Sequence, residues 1–190
     1  MDDTRLIRGA LAGRREDFDV LVERYQKPLY AFVYRSVRDH AETADIVQMT
    51  FIQTYTHLGQ FAGRSSFRTW LYQIALNQVR AAHRGRQRHE HVTLDEVPEA
   101  HLHEARMAAG AHGGRPAADS GPGSSGWIEL LERLIAHLPL RQRSVLTLRI
   151  FNDLPFRDIA QTIGISENSA KVNYHHAVTR LRQWIRREES

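Results

Sequence analysis

The chain has 190 residues, of which 42% are apolar and 25% charged, with a formal net charge of +4 and no cysteine. That length holds one ordinary domain or two small ones, and the missing cysteine excludes disulfides, thiolate metal sites and a cysteine nucleophile. The N-terminus lacks the apolar stretch of a signal peptide and no apolar run approaches membrane-spanning length, so a soluble cytoplasmic protein without membrane insertion is expected.

Helix signals dominate and strand signals are almost absent. Thr4 to Leu11 reads as a short helix. From Asp17 onward, Phe18, Leu21, Val22 and Tyr25 form an apolar stripe that Leu29, Phe32 and Val33 continue. Pro28 between them predicts a new helix or a kink. Ala41 to Leu58 is another helix, with Ala44, Val47, Phe51, Tyr55 and Leu58 along one side and Gly59 as its stop.

The next stretch, FAGRSSFRTWLYQIALNQVRAAHRGRQR over 61–88, is electrostatically unusual. Residues 46–89 carry six arginines and no acid. A one-sign surface is an anion-binding footprint, and nucleic acid is the commonest partner. Phe61, Phe67, Trp70 and Tyr72 lie among the arginines, with amides at Gln73, Asn77 and Gln78. Aromatic faces stack on unpaired bases and amides read base edges, so the mixture suits an opened strand. Phe67, Trp70, Leu71, Ile74, Ala75 and Val79 also recur at helical spacing, the buried face of an amphipathic helix, with Trp70 and Ile74 expected in the core. Ser65 or Ser66 is its expected N-cap. The arginines and amides fall off that face, leaving one side for the core and the other for DNA.

Residues 89–126 have no sustained period, hold two basic and six acidic groups, and end rich in Gly, Pro, Ala and Ser. They read as a flexible acidic linker. Six of the eleven histidines lie between His83 and His112. Scattered and without cysteine, they are weak evidence for a metal site, and neither metal nor cofactor is assigned.

A second helical domain is expected over 127–190. Ile128, Leu131, Leu134, Ile135 and Leu138 share a face that ends at Pro139. Arg141 to Phe151 follows, with Val145, Leu146, Leu148 and Ile150 apolar. Pro155 stands at the first turn of a short helix, Ala160 at a helix crossing, Gly164 in a tight turn and Ser166 at the next N-cap, with Ala170, Tyr174, Ala177, Val178 and Leu181 inward. This is the helix-turn-helix pattern, whose second helix enters the major groove.

With these motifs in order, the chain resembles bacterial sigma factors of the extracytoplasmic-function type, short members of the primary sigma family. DIVQMTF (Asp45 to Phe51) is similar to the polymerase-docking helix. Residues 61–80 are similar to the promoter-melting segment, and LPLRQRSVLTLRIFNDLPFRDIAQTIGISENSAKVNYHHAVTRLR to the domain that reads the upstream element. The resemblance implies an all-α fold of two small domains, 1–88 and 127–190, joined by the linker. It implies a non-enzymatic initiation factor that binds core RNA polymerase and promoter DNA and is held inactive by a separate anti-sigma protein. By position, Asp45, Gln48, Met49, Phe51 and Ile52 would face the polymerase. Phe61, Arg64, Ser65, Ser66, Arg68 and Asn77 would surround a base flipped from the minus-ten element, with Arg80 and Arg84 on its phosphates. Ser166, Ser169, Lys171, Val172, Asn173, His175, His176 and Arg180 would meet the minus-thirty-five element. Met49 stands where many members carry Glu, and Asn173 where many carry Arg.

A stand-alone helix-turn-helix regulator is the competing class, but it leaves residues 46–88 unexplained and no dimer surface is legible. An RNA-binding module is a second rival, opposed by the duplex-reading motif. No nucleophile–base pairing supports an enzyme.

Overall fold

The computed structural model describes residues 2–94 and 125–188, and among them every regular element is helical. The first domain comprises α1 (Asp3–Leu11), α2 (Arg15–Val37), α3 (His40–Thr56), a single 3-10 turn (Leu58–Gln60) and α4 (Phe67–Leu94). The second comprises α5 (Ser125–Ala136), α6 (Leu140–Ile150), α7 (Phe156–Ile163) and α8 (Glu167–Glu188). Residues 95–124, most of the expected linker with part of its histidine cluster, lie outside the described residues. Helix α4 runs beyond residue 88 to Leu94, since neither Gly nor Pro interrupts 86–94. No described helix is long and apolar enough to cross a membrane.

Helix α1 packs on α2 through Asp3, which accepts hydrogen bonds from Arg24 and from the Tyr25 hydroxyl, the latter at 2.5 Å. The two helices approach closely where Gly9 meets Asp17: a Cβ on Gly9 would lie 1.6 Å from Asp17 Oδ2. Helix α2 is continuous through Pro28, so no new helix begins there. Pro28 is exposed, and the carbonyl of Arg24 that loses its donor can be hydrated instead.

Helix α3 begins at Asp39, whose side chain accepts the Glu42 N–H at 2.7 Å. Its buried face differs from the expected one. Phe51 and Leu58 are buried, but Ala44 and Tyr55 are exposed, and Thr43, Ile46, Thr50 and Thr54 face inward. Each threonine hydroxyl donates to the carbonyl four residues back, on Asp39, Ile46 and Thr50, at 2.5–2.7 Å. A hydroxyl satisfied within its own helix can be buried at little cost. Apolar side chains are thereby left on the outer face.

In the second domain Gly164 adopts φ 77°, a left-handed conformation favouring glycine, and closes α7 with bonds from its N–H and that of Ile165 to the Ala160 carbonyl. Ser166 caps α8, accepting the Ser169 N–H at 3.1 Å. Ala170, Ala177 and Leu181 are buried and Tyr174 and Val178 half-buried, as the periodicity predicts. Of the apolar residues on α6, Val145, Leu146 and Leu148 turn inward and Ile150 is exposed.

The second domain buries apolar groups in two directions. Leu134, Ile135, Leu138, Leu146, Ala177 and Leu181 form its own core. Val145, Leu148, Leu154, Ile159, Ala160 and Ile163 instead join one continuous cluster with Leu71, Tyr72, Leu76 and the rest of the first-domain core.

Candidate nucleic-acid interface

The basic stretch is organised by the start of α4. Ser66, one of the two expected caps, accepts the Thr69 N–H at 3.1 Å, leaving residues 61–65 as a loop over the first turn of the helix. Phe67 is buried, and Phe61 and Trp70 pack beside it with ring centroids 5.2–6.1 Å apart. Between this loop and α4 opens a cavity of about 390 Å³ lined by Gln60, Phe61, Ala62, Arg64, Ser65, Thr69, Trp70, Gln73 and Gln161. No carboxylate lines it. It offers an aromatic wall, one guanidinium and three amides, a set able to stack on and hydrogen-bond a planar polar ring.

Trp70 and Ile74 are half-buried rather than fully in the core, and both line a neighbouring cavity of about 290 Å³ with Gln53, His57 and Gln60. Trp70 therefore serves the core on one edge and both cavities on the other. Gln60 and Gln161 are not legible as lining residues, because the 3-10 turn and the other domain bring them there, and Thr69 joins them from the first turn of α4. The sequence marks Gln73 only as an amide among the arginines.

Of the residues expected around one base, Phe61, Arg64 and Ser65 line the cavity. Ser66 is committed to capping, and Arg68 and Asn77 are not among the lining residues. Arg68 lies near Tyr25 and Tyr72 and acts electrostatically on both phenols. Gln73, Asn77, Arg80 and Arg84 follow at intervals of four, three and four, so they form one stripe along α4. Asn77 and Arg84 are exposed, whereas Arg80 is half-buried and donates to the Ile163 carbonyl at 2.8 Å. Burial, with Arg141 and Arg84 nearby, holds the Arg80 guanidinium below its usual pKa. Arg86 is paired with Glu42 at 3.1 Å.

On α3, Asp45, Gln48, Met49 and Ile52 are exposed on one face, with Met49 at 45% and Ile52 at 50%. Tyr55 extends that face. Phe51 does not belong to it: at 9% exposure it packs in the first-domain core, on the opposite side from Met49 and Ile52. This corrects the expectation that all five residues share a docking surface.

On α8 the expected set is mostly outward. Ser166, Lys171, Val172, His175, His176 and Arg180 are exposed, Val172 at 44%. Lys171 pairs with Glu167 at 2.7 Å, an exposed contact of small energetic weight. Asn173 donates back to the Ser169 carbonyl at 2.8 Å. Neither histidine packs against the preceding helices.

Among the described residues the fold is all-helical, with an acid-free aromatic cavity beside α4 and a helix-turn-helix in the second domain, a combination that fits a DNA-binding protein. Residues 21–89 match the Sigma-70 region 2 family and residues 128–181 the Sigma-70, region 4 family. The chain is 32% identical over 175 residues to the RNA polymerase sigma-H factor of Pseudomonas aeruginosa, covering 83% of this chain and 80% of that one. It is 26% identical over 187 residues to the ECF RNA polymerase sigma factor SigW of Bacillus subtilis, covering 92% and 91%. Among solved structures, the sigma factor RpoE of Bartonella quintana, in complex with the anti-sigma factor NepR, superposes with a TM-score of 0.68 at 20% identity, over 90% of this chain and 98% of that one. CnrH, in complex with the cytosolic domain of CnrY, gives 0.67 at 21% identity over 96% of each. The chain belongs to the RNA polymerase sigma factors of the extracytoplasmic-function type. It is a transcription initiation factor, whose partners are core RNA polymerase and promoter DNA. Both family matches, in chain order, displace the stand-alone regulator.

Proposed function

We propose that this sigma factor opens its promoters by capturing an unpaired minus-ten base in the cavity between the 61–65 loop and α4. The observation that carries the reading is the cavity itself: about 390 Å³, aromatic on one side, with Arg64 and amides around it and no carboxylate. Extruding a base costs a few kcal/mol unless stacking and hydrogen bonds replace those lost. Phe61 and Trp70 supply the stacking wall, and Arg64, Ser65 and Gln73 the polar contacts. Asn77 and Arg84 then follow the strand along α4, with Arg80 joining them once released from Ile163.

The exposed α3 face, with Asp45, Gln48, Met49 and Ile52, docks on core polymerase. Its apolar groups fit a protein surface better than a phosphate backbone. Helix α8 enters the major groove of the minus-thirty-five element through Lys171, Val172 and His175, with His176 and Arg180 toward the backbone and the capped Ser166–Ser169 end leading. The protein acts in the cytoplasm, needs no cofactor and performs no catalysis of its own. As the Bartonella protein of the same fold does, it pairs with an anti-sigma protein.

The test is run-off transcription on genomic fragments with core polymerase, followed by mapping of transcript starts. Starts that appear only with the chain present, and share two sequence elements upstream, are the expected result. Starts unchanged from core polymerase alone would refute it.

A further inference from the structure

Three helices meet around a third cavity that the capture of a base does not use. Its volume is about 450 Å³, and it is lined by Leu76 and Arg80 of α4, Leu140, Arg141 and Ser144 of α6, and Ile163 at the end of α7. Small-molecule sites are clefts of about 300–1,000 Å³, mostly apolar with a few placed polar groups, and they favour the ground between domains. Leu76, Leu140 and Ile163 give this cavity an apolar wall. Arg80, Arg141 and Ser144 are its polar groups.

The charge there has one sign. No carboxylate lines the cavity. Burial, and then the charges of Arg141 and Arg84, hold the Arg80 guanidinium below its usual pKa. Arg84 stands one turn beyond Arg80 on α4. Three guanidiniums so close repel one another, and an anion among them replaces that repulsion with attraction. Arg80 is half-buried and uses one N–H on the Ile163 carbonyl at 2.8 Å. A guanidinium has five N–H donors, so the rest of the fork stays available while the backbone bond restrains it. Arg141 and Arg84 are exposed. Ser144 donates its hydroxyl to the Leu140 carbonyl at 2.8 Å, which leaves its oxygen free to accept.

We infer that this cavity binds a small phosphorylated molecule carrying a ring, of the nucleoside diphosphate class. Its phosphates lie among Arg80, Arg84 and Arg141, its ring lies against Leu76, Leu140 and Ile163, and Ser144 accepts from a ring N–H or a sugar hydroxyl. Phosphate fits the site better than carboxylate. A carboxylate brings one negative charge to three cations, whereas a phosphate monoester carries about 1.5–2 at neutral pH. Arginine forks also bond phosphate oxygens in pairs. An inorganic anion alone would leave the apolar wall uncovered. Arg80 and Arg84 are also assigned to the opened strand, so a bound nucleotide withholds them from it. That competition rests on the reading of α4 given above, and the site itself does not.

The experiment is isothermal titration of the full chain, without divalent cations, with ADP, pyrophosphate and adenosine. ADP should saturate one site with a Kd below about 1 mM. It should bind about fivefold more tightly than pyrophosphate, because its ring buries apolar surface, and adenosine should be the weakest. Arg141→Ala should weaken ADP about tenfold, the loss expected for a charged hydrogen bond. Arg15→Ala removes an exposed arginine that lines none of the three cavities and should change nothing. No saturable ADP binding, an equal loss in both variants, or pyrophosphate as tight as ADP overturns the site. Fluorescence anisotropy of a labelled single strand of about 20 nucleotides reads the competition separately. ADP should weaken strand binding by the parent and have less effect on Arg141→Ala. A strand that ignores ADP, while titration shows the nucleotide bound, overturns the strand contacts assigned to Arg80 and Arg84 and upholds the site.

Discussion

Tyr72 and Asn152, 80 residues apart in sequence, meet through a 2.6 Å hydrogen bond inside the contact between the two domains. Both are buried, and burial pushes the Tyr72 phenol above its usual pKa, so it stays a neutral hydroxyl. Tyr72→Phe leaves the Asn152 amide without that partner. Removing one side of a buried hydrogen bond costs about 1–3 kcal/mol. Equilibrium urea unfolding should show a lower midpoint, and an unchanged one would count against the contact in solution.

Phe51 should behave oppositely to its α3 neighbours Met49 and Ile52. Met49 and Ile52 are exposed and Phe51 is buried. Met49→Ala and Ile52→Ala should each weaken capture by immobilised core polymerase at least severalfold, on the order of 1 kcal/mol, with unchanged melting temperature. Phe51→Ala should instead cost about 3–5 kcal/mol of stability through cavity formation. Equal thermal shifts in all three would disprove the division of the helix into a docking face and a core face.

Arg64 lines the base-sized cavity from an exposed loop, so its loss should leave folding intact. Arg64→Ala should reduce permanganate reactivity of minus-ten thymines on a mapped promoter while closed-complex binding persists. A base contact of this kind is worth about 1–3 kcal/mol. A normal bubble would move the flipped base elsewhere.

Val172 and His175 are exposed on α8, three residues apart and hence on one face. Val172→Ser and His175→Ala should weaken recognition of the upstream element by the holoenzyme, about 1–3 kcal/mol for a specific base contact, without lowering stability. Binding to a mutated upstream element is the control. A loss that is equal on both DNAs would assign these residues to the phosphate backbone.

His83 gives a pH dependence with a defined sign. Its Nε2 faces the Ser36 carbonyl at 3.3 Å, which also accepts Arg143. Burial, then Arg86 and more weakly Arg143, lower its pKa, outweighing the Ser36 hydrogen bond and the Glu42 charge. The unfolded chain therefore takes up a proton here at a higher pH than the folded one, and stability is lost as pH falls from about 6.5 toward the lower folded pKa. Melting temperature measured between about pH 7.5 and 5.5 should fall toward acid, and His83→Gln should flatten part of that slope. An identical slope in the variant would exclude His83 as a source.

Much of this protein is legible in its sequence, because the relevant physics is local. Helix periodicity, the Ser66 and Ser166 caps and the left-handed turn at Gly164 depend on residues within a few positions of each other. So does the acid-free run over 46–89, whose one-sign charge is visible before any contact is known. Faces of helices were less legible. Three threonines satisfy their hydroxyls within α3 and take the core positions, turning Tyr55 outward, and hydropathy alone scores those threonines as surface. What only the tertiary structure decides is which distant groups meet. Gln161 in the wall of the cavity, Ile163 on Arg80, and Asn152 on Tyr72 all join residues about 80 or more apart. No periodic signal encodes such pairs, because they arise from how apolar faces of two separate domains find each other, and that choice is made by the shape and burial of whole surfaces.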